Sequence, residues 1–227
     1  MTLDGLLHHR LIEHFLEHGH APGLDALAAS LGISGAELEG ALRRLEAQHG
    51  VVLHGGPRPD VWLVHPFSST PTLFWVEGAG RGWWAPCVWC ALGVACLAEA
   101  DVVVHTRVGG EIEAVRFEVR DGRVTPTDLV AHFSIPIARA WDDVHRFCST
   151  ALVFRTDAQA RAWCHRHGCG VGAVVPIERV GQLATAWYGG HRAPAWRKHT
   201  QAEAKAIFER VGLTDAFWSL DAAAERF

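Results

Sequence analysis

The sequence is organised around residues 83–97, which read WWAPCVWCALGVACL. The apolar run from Pro86 onward predicts a helix, because proline is tolerated in a first turn, and the two leading tryptophans should pack in front of it. Cys87 and Cys90 are three residues apart, so both sulfurs are expected on one face at the helix N-terminus. Free backbone N–H groups and the positive end of the helix dipole favour a thiolate there. The pair is therefore a candidate for activated cysteine chemistry.

Cysteine pairs of this kind have four common interpretations: a zinc knuckle, a redox disulfide, a soft-metal or nucleophilic site, and buried core. A structural zinc site normally needs a second Cys/His pair at tight spacing, and none follows in the expected window. Buried core is the ordinary state of a free cysteine. Cys96, nine residues after Cys87 and on the opposite face of the helix, fits that interpretation.

Composition limits the class of protein. The chain has 227 residues, of which 49% are hydrophobic and 20% charged, enough for a substantial core in a soluble protein with one large and one small domain. A net charge of -4 argues against wholesale binding of nucleic acid or anionic membranes. No signal peptide and no membrane-spanning run is recognisable. Six cysteines without an export signal predict a cytoplasmic location, where thiols stay reduced.

Residues 1–65 predict a winged-helix-like N-terminal module. Gly19 should end a first amphipathic helix. Ser34 should cap a later helix, with Glu37 completing a capping box. A hairpin over residues 50–65 completes the outline.

Such a module suggests DNA binding, but its second predicted helix argues against that function. The only cations it exposes are Arg43 and Arg44, which stand beside three glutamates. A recognition helix usually offers a surface that neutralises phosphates. The pattern therefore favours a role in packing or dimerisation.

Residues 66–227 predict an α+β domain with a mostly antiparallel sheet and flanking helices. A glycine-rich turn is predicted over 78–82. Strands are predicted over 72–77, 101–108, 112–120, 129–135, 146–154 and 171–177, and helices over 86–98, 156–167, 178–187 and 200–211. Cys148 falls inside the predicted strand 146–154.

Other conspicuous residues have ordinary interpretations beside functional ones. Cys164, His167 and Cys169 could form a metal cluster, although side chains near a helix end more often have no such role. Tryptophans and histidines could line a site, but core packing or surface exposure is the commoner explanation. These residues are Trp83, Trp84, Trp89, His105, His132 and His145.

Several of these segments together resemble a known family. The run WWAPCVWCALGVACLAEADVVVHTRV, the later DDVHRFCSTALVF and the helix containing Trp163 are similar in order and spacing to the core of the alkylmercury lyases, or organomercurial lyases. The resemblance extends over residues 1–180 and includes the N-terminal module. It implies an alkylmercury lyase-like domain over 66–227 in which two cysteines and one aspartate do the chemistry. By spacing, Cys87 matches the first cysteine and Cys148 the second, while Cys90 stands where the family has its aspartate.

The resemblance implies protonolysis of an organomercurial to Hg(II) and a hydrocarbon, with Cys87, Cys90 and Cys148 as both catalytic and metal-binding residues. Soft thiolates suit mercury, and in the family the carboxyl group acts as the general acid that protonates the departing carbon. In its place Cys90 could donate the proton itself, or become a third sulfur that traps the ion. No cofactor is expected beyond the Hg(II) that the substrate supplies.

Three other functions remain open. A lyase-like protein could have been repurposed for soft-metal binding or organosulfur chemistry. The string WAPCVWC is superficially similar to a thioredoxin active site, with Pro136 downstream, but no βαβ unit precedes it and a hairpin follows it. A thiol- or metal-sensing transcriptional regulator would need a basic recognition surface, which is sparse here. The expected partner is a small organomercurial, soft-metal or organosulfur compound, with no membrane and no nucleic acid, and the oligomeric state is not predicted.

Overall fold

The structure of the protein is a computed structural model that describes residues 2–220. This part of the chain contains eight α-helices, eleven β-strands and two 3₁₀ turns. The helices are α1 Leu3–His18, α2 Leu24–Leu31, α3 Gly35–Ala47, α4 Val88–Ala98, α5 Val144–Thr150, α6 Asp157–His167, α7 Ile177–Tyr188 and α8 Gln201–Arg210. The strands are β1 Val52–Leu53, β2 Val61–Val64, β3 Phe67–Ser68, β4 Phe74–Gly78, β5 Arg81–Ala85, β6 Val102–Arg107, β7 Ala114–Arg120, β8 Arg123–Thr125, β9 Val130–Phe133, β10 Leu152–Phe154 and β11 Ala173–Pro176. The 3₁₀ turns are Ile137–Asp142 and Ala216–Trp218.

The strands form two antiparallel sheets. The larger has the strand order β1-β2-β3-β5-β4-β6-β7-β8, and the smaller has the order β10-β9-β11. A parallel bridge between Val108 and Val153 connects one sheet to the other. The predicted α+β class with a mostly antiparallel sheet is confirmed.

The N-terminal helices begin and end as their sequence dictates. Gly19 follows α1 with φ 77°, a left-handed conformation that glycine adopts without steric cost. The Ser34 hydroxyl accepts the N–H of Glu37, and the Glu37 carboxylate accepts the N–H of Ser34, so the predicted capping box closes at α3. Trp83 donates its ring N–H to the Phe15 carbonyl oxygen at 2.8 Å, which fastens α1 to the sheet.

The hairpin after these helices continues past the predicted domain boundary. β1 pairs with β2, and β2 pairs with β3, which lies beyond residue 65. The larger sheet is therefore continuous across that boundary. The division into 1–65 and 66–227, and the winged-helix-like character of the first part, stay predictions. Residues 1 and 221–227 of these two ranges lie outside the described residues.

The central helix α4 begins later than predicted. Cys87 is its N-cap residue in an extended conformation, and the helix starts at Val88 instead of Pro86. The physical reason lies just upstream: the turn predicted over 78–82 is confined to Ala79 and Gly80, and β5 begins at Arg81. Because β5 runs to Ala85, the backbone is still extended when it reaches the cysteine.

The prediction that Cys148 lies on a strand is wrong. Residues 144–150 form α5, which Asp143 caps by accepting the Arg146 N–H at 2.9 Å, and the strand β10 starts only at Leu152. Apolar residues in this segment suggested a strand. The Asp143 cap favours a helix here, because it satisfies a backbone N–H group that would otherwise lack a partner.

Helix α4 lies at the centre of the core. Nearly all its side chains are buried, and it packs between α7 on one side and strands β4 and β5 on the other. Helices α6 and α8 begin at the predicted caps, Thr156 and Thr200. Helix α7 follows strand β11 directly. No described helix combines the length and apolar character that crossing a bilayer requires.

Candidate active site

A cavity of about 70 Å³ lies where α4, α5, α7 and the chain after α7 converge; we call it the thiol cavity. Its walls are mostly aromatic and apolar, with three cysteines and several imidazoles among them. The lining residues used below are His65, Cys87, Trp89, Cys90, Cys148, Trp187, Tyr188, His191, Trp196, Lys198 and His199. The structure therefore brings together all three cysteines that the sequence singled out.

Cys87 occupies the N-cap of α4, where a serine or aspartate usually stands. Its sulfur accepts the backbone N–H of Cys90 at 3.4 Å. The free N–H groups of the first helical turn and the helix dipole both stabilise negative charge at this point. The helix N-terminus thus favours a thiolate at Cys87, which caps the helix from outside instead of lying within its first turn.

Cys90 lies on the first turn of α4, beside the end of α7. Its sulfur is 3.4 Å from the Tyr188 hydroxyl. Gly93, one turn further along α4, makes this approach feasible, because a Cβ at that position would lie 2.4 Å from the Tyr188 ring. A glycine on one helix therefore sets the position of a phenol on another.

Cys148 reaches the thiol cavity from α5. Its sulfur is 3.9 Å from Nε2 of His65, and the ligand atoms of His65, Cys90 and Cys148 all lie within 4.8 Å of one another. Two sulfurs on one ion, at the metal–sulfur distance of about 2.3 Å known for zinc, lie at most about 4.6 Å apart. The cluster is close to the dimensions of a soft-metal site. Cys87, which the sequence predicted as a ligand, lines the same cavity but is not part of this group, and His65 stands in its place.

The three thiols differ in their affinity for protons. Burial by itself would raise the pKa of Cys87, but hydrogen bonds from the thiols of Cys148 and Cys90 and from the Cys90 backbone bring it well below its usual value. Burial and the adjacent charge of Cys87 raise the pKa of Cys90. Hydrogen bonding with Cys87 and Cys90, together with burial, raises the pKa of Cys148. Of the three, Cys87 is therefore the cysteine that most favours the thiolate, and Cys90 and Cys148 favour the thiol.

The neighbouring polar groups are neutral. Burial lowers the pKa of His65 to about 4, against the opposing attraction of Cys87. Burial lowers the pKa of His191 to about 3, with repulsion from His199 adding to it. Burial and the nearby sulfur charges raise the pKa of Tyr188. An imidazole able to accept a proton and a phenol able to donate a hydrogen bond thus stand beside the sulfurs.

A segment after α7 covers the thiol cavity and is held by α1. Trp196 stacks on His8 with ring centroids 3.8 Å apart. Arg192 bonds through two nitrogens to the Glu13 carboxylate, and its carbonyl oxygen contacts Nδ1 of His9 at 2.7 Å. The first helix of the chain therefore helps to close the cavity.

The structure also separates residues that the sequence grouped. Trp89 lines the thiol cavity, whereas Trp83 is buried in the core beneath α1. Cys96 is on another part of α4 and lines a different cavity. His167 stacks on Trp163 instead of facing Cys164.

Two residues of the site were missed. The sequence analysis places His65 at the end of the predicted hairpin and Tyr188 just beyond the predicted helix 178–187, and it assigns a role to neither. Each comes next to the cysteines through long-range packing, which leaves no local pattern in the sequence. The roles of Cys87, Cys90 and Cys148 in catalysis and metal binding stay predictions.

Comparisons with known proteins agree with this geometry. The family model for MerB, alkylmercury lyase, matches residues 67–189. The crystal structure of the mercury-bound form of MerB2 is similar to this chain with a TM-score of 0.64 and 20% sequence identity, and the match covers 86% of this chain and 93% of that chain. At this identity the likeness concerns the fold. No curated protein matches the chain.

Proposed function

This chain belongs to the alkylmercury lyase family, a family of carbon–mercury lyases, and on that premise we propose that its thiol cavity cleaves an organomercurial by protonolysis. The products are a hydrocarbon and Hg(II) held on cysteine sulfur. One observation supports this proposal above all others: three thiols from two helices, one of them with a lowered pKa, line a single apolar cavity.

Cys87 begins the reaction. Its thiolate attacks the mercury of R–Hg–X, a sulfur–mercury bond forms, and X leaves with its electron pair. The thiolate is the reactive form of cysteine, and mercury is a soft ion that prefers sulfur. The helix N-terminus supplies this thiolate without a separate base.

Cys148 adds the second sulfur. As its sulfur bonds to mercury, its proton passes through Nε2 of His65, 3.9 Å away, and on to solvent, because a histidine with a pKa of about 4 does not keep a proton at neutral pH. A second thiolate increases the electron density on mercury and weakens the bond to carbon. His65 therefore relays the proton away from Cys148.

Cys90 supplies the proton that ends the reaction. Its S–H bond breaks, and the proton bonds to the carbon atom, which keeps the electron pair of the broken carbon–mercury bond. The Cys90 sulfur is left as a thiolate. A raised pKa keeps this thiol protonated until then. The Tyr188 hydroxyl, 3.4 Å away, donates a hydrogen bond that stabilises the new negative charge.

A second function has an observation in its favour. The ligand atoms of His65, Cys90 and Cys148 are close enough to hold one ion together. A chain in which Cys90 is a permanent ligand would hold Hg(II) from the inorganic salt, or the intact R–Hg group of an organomercurial with its carbon–mercury bond unbroken. Such a trap binds the ion tightly and forms no hydrocarbon.

Incubation of the reduced protein with phenylmercury acetate and excess low-molecular-weight thiol tests both functions. We expect benzene, measured by gas chromatography, to form in amounts that exceed the protein. Stoichiometric mercury uptake without benzene would establish the trap and refute the lyase. Cys96→Ser is the matched control, because Cys96 is on the same helix but lines another cavity, and it should behave as the parent does.

The N-terminal residues 1–65 are proposed to support the cavity and not to bind DNA. The two arginines of α3 face acidic partners: Arg43 lies near Glu39 and Glu46, and Arg44 pairs with Asp4 at 2.8 Å. These pairs remove positive charge that phosphate contacts would need. The six free cysteines suit the reducing cytoplasm expected from the sequence.

A further inference from the structure

The solvent side of the thiol cavity carries a positive charge. Lys198 and His49 both line the cavity and are half-buried, whereas the three cysteines are buried. The Lys198 ammonium nitrogen Nζ lies 3.0 Å from Nδ1 of His49. An ammonium group only donates hydrogen bonds, so Nδ1 accepts and the ring proton of His49 is on Nε2. We call these two residues the entrance pair.

The charge of the entrance pair belongs to Lys198. Burial and the charge of Lys198 lower the pKa of His49 to about 4, so this imidazole is neutral at pH 7. Burial lowers the pKa of Lys198, and an anion beside the ammonium group would oppose that effect. No aspartate, glutamate or arginine lines the thiol cavity in the part of the chain that the structure describes. An anion that enters the cavity therefore meets a cation and no lining carboxylate.

Packing fixes the position of His49. This residue follows α3 with φ 60°, a conformation that few residues other than glycine adopt. Its backbone N–H donates to the Glu46 carbonyl oxygen at 2.9 Å, and its ring stacks on Trp141 with centroids 4.1 Å apart. The Nδ1 acceptor of His49 therefore holds the Lys198 ammonium group at the entrance.

The entrance pair lies one ring system away from the imidazole beside the sulfurs. Trp141, on which His49 stacks, also contacts His65 edge to face, with centroids 5.6 Å apart. Nε2 of His65 is 3.9 Å from the Cys148 sulfur. A substituent that is separated from a sulfur-bound mercury atom by a ring or a short chain can therefore approach the entrance pair.

We propose that the entrance pair binds a carboxylate of the incoming mercurial, which makes carboxylate-bearing compounds the preferred ligands of the thiol cavity. The carboxylate belongs either to the organic group on mercury or to the thiol that accompanies mercury in solution. It accepts charge-assisted hydrogen bonds from Lys198, and its charge is attracted to the entrance before mercury reaches sulfur. The inference rests on the proposed function only in requiring that cysteine sulfur binds mercury, which holds for the lyase and for the trap.

The test compares three mercurials in stopped-flow binding to the reduced full chain at low ionic strength. The first is 4-(chloromercuri)benzoate with β-mercaptoethanol, the second is phenylmercury hydroxide with mercaptoacetate, and the third is phenylmercury hydroxide with β-mercaptoethanol, which carries no carboxylate. Quenching of tryptophan fluorescence reports binding, since Trp89 lines the cavity. We expect the parent to bind the first or the second about tenfold faster than the third, the scale of a hydrogen bond to a charged group. Lys198→Met should lose that ratio.

Lys205→Met is the matched control. Lys205 is the only other lysine of the chain, and it is exposed on α8, outside the cavity lining. This variant should therefore keep the ratio of the parent, as should Lys198→Arg, which retains the charge. The compound whose advantage disappears in Lys198→Met shows whether the carboxylate is on the organic group or on the thiol.

A ratio near one in the parent, or the same ratio in the parent and Lys198→Met, overturns the proposal. Because ratios are compared, a general effect of the substitution on the cavity cancels, and circular dichroism checks the fold of the variant. Binding is measured without carbon–mercury cleavage. A preference that depends on Lys198 without benzene formation therefore refutes the lyase alone, and benzene formation without a preference refutes the entrance pair alone.

Discussion

The two cysteine groups of this protein sit at opposite ends of helices. Cys87 caps the start of α4 and receives a backbone N–H from Cys90. Cys164 lies in the last turn of α6, where carbonyl groups predominate and Cys169 folds back on it. Cys87 and Cys164 nevertheless differ in the direction in which their pKa values move. The pKa of Cys87 falls well below its usual value, and burial with the adjacent Cys169 raises the pKa of Cys164 to about 11.

The difference teaches that burial alone does not determine the ionisation of a cysteine. Cys87 and Cys164 are both almost inaccessible, with 1% of each residue exposed. Burial raises the pKa in both cases, and only the N-terminal group has enough hydrogen-bond donors to reverse that effect. The position at a helix end therefore separates a cysteine that favours the thiolate from one that favours the thiol.

Removal of Cys87 should produce the largest effect. Cys87→Ser leaves the site without its only sulfur of lowered pKa, so we expect benzene formation from phenylmercury to fall by at least about a thousandfold, the scale of a lost catalytic nucleophile. Cys164→Ser should reduce the rate less than about twofold, because Cys164 touches nothing in the cavity. Equal losses in the two variants would contradict the functional difference between the groups.

Alkylation profiles should give the next largest difference. The pH midpoint of iodoacetamide labelling reports the pKa of a thiol independently of how accessible the thiol is, and mass spectrometry follows each peptide separately. We expect a midpoint below about 8.5 for Cys87 and near 11 for Cys164. Labelling of Cys87 should therefore be lost only as the pH falls through its lowered pKa, while labelling of Cys164 appears only in strong base. Midpoints within one pH unit of each other would remove the contrast.

Restoring a carboxyl group should give a moderate gain. Cys90→Asp places the family's residue opposite the same two cysteines, and a better general acid should raise the rate of benzene formation by about tenfold, within the range that acid catalysis supplies. Cys96→Asp, further along α4, is not expected to raise it. A lower rate in Cys90→Asp would indicate that the third sulfur matters more than its proton.

The smallest effect concerns the phenol beside Cys90. Tyr188→Phe removes a hydrogen bond to a developing thiolate, which is worth about a threefold to tenfold loss in kcat. The KM for phenylmercury should stay the same, because the hydroxyl acts only after mercury has bound. The pH at which Cys90 loses its proton should rise in the variant, since Tyr188 lowers the pKa of that thiol. A change confined to KM would assign Tyr188 to substrate packing instead.

Local signals made most of the fold predictable. Two helices start at capping boxes, formed at Ser34 and Thr200, which satisfy backbone N–H groups. Helices α1 and α6 end at glycines in the left-handed conformation. Because these signals act within a few residues, the sequence alone shows where the helices start and stop. The same logic failed at Cys148, because the cap from Asp143 is a single side-chain bond in an otherwise strand-like segment.

The candidate site was predictable only in its cysteines. Spacing on one helix identified Cys87 and Cys90, and the family resemblance pointed to Cys148. His65 and Tyr188 are 83 and 98 residues away from the cysteines they contact. Contacts over such separations depend on how the sheet and the helices pack, and no periodicity in the sequence reports them. For the same reason helical spacing grouped His167 with Cys164, whereas the imidazole beside Cys164 in the structure is that of His132 on β9.

The approach of Tyr188 to Cys90 has a spectroscopic consequence. The chain contains a single tyrosine, and the notch left by Gly93 holds its ring against the sulfurs. Protein labelled with ring-carbon-13 tyrosine would thus give one phenolic resonance, 3.4 Å from the atom of interest. The chemical shift of Tyr188 should therefore change when a cysteine of the cavity ionises or when mercury binds to the sulfurs, and no other tyrosine contributes to that resonance.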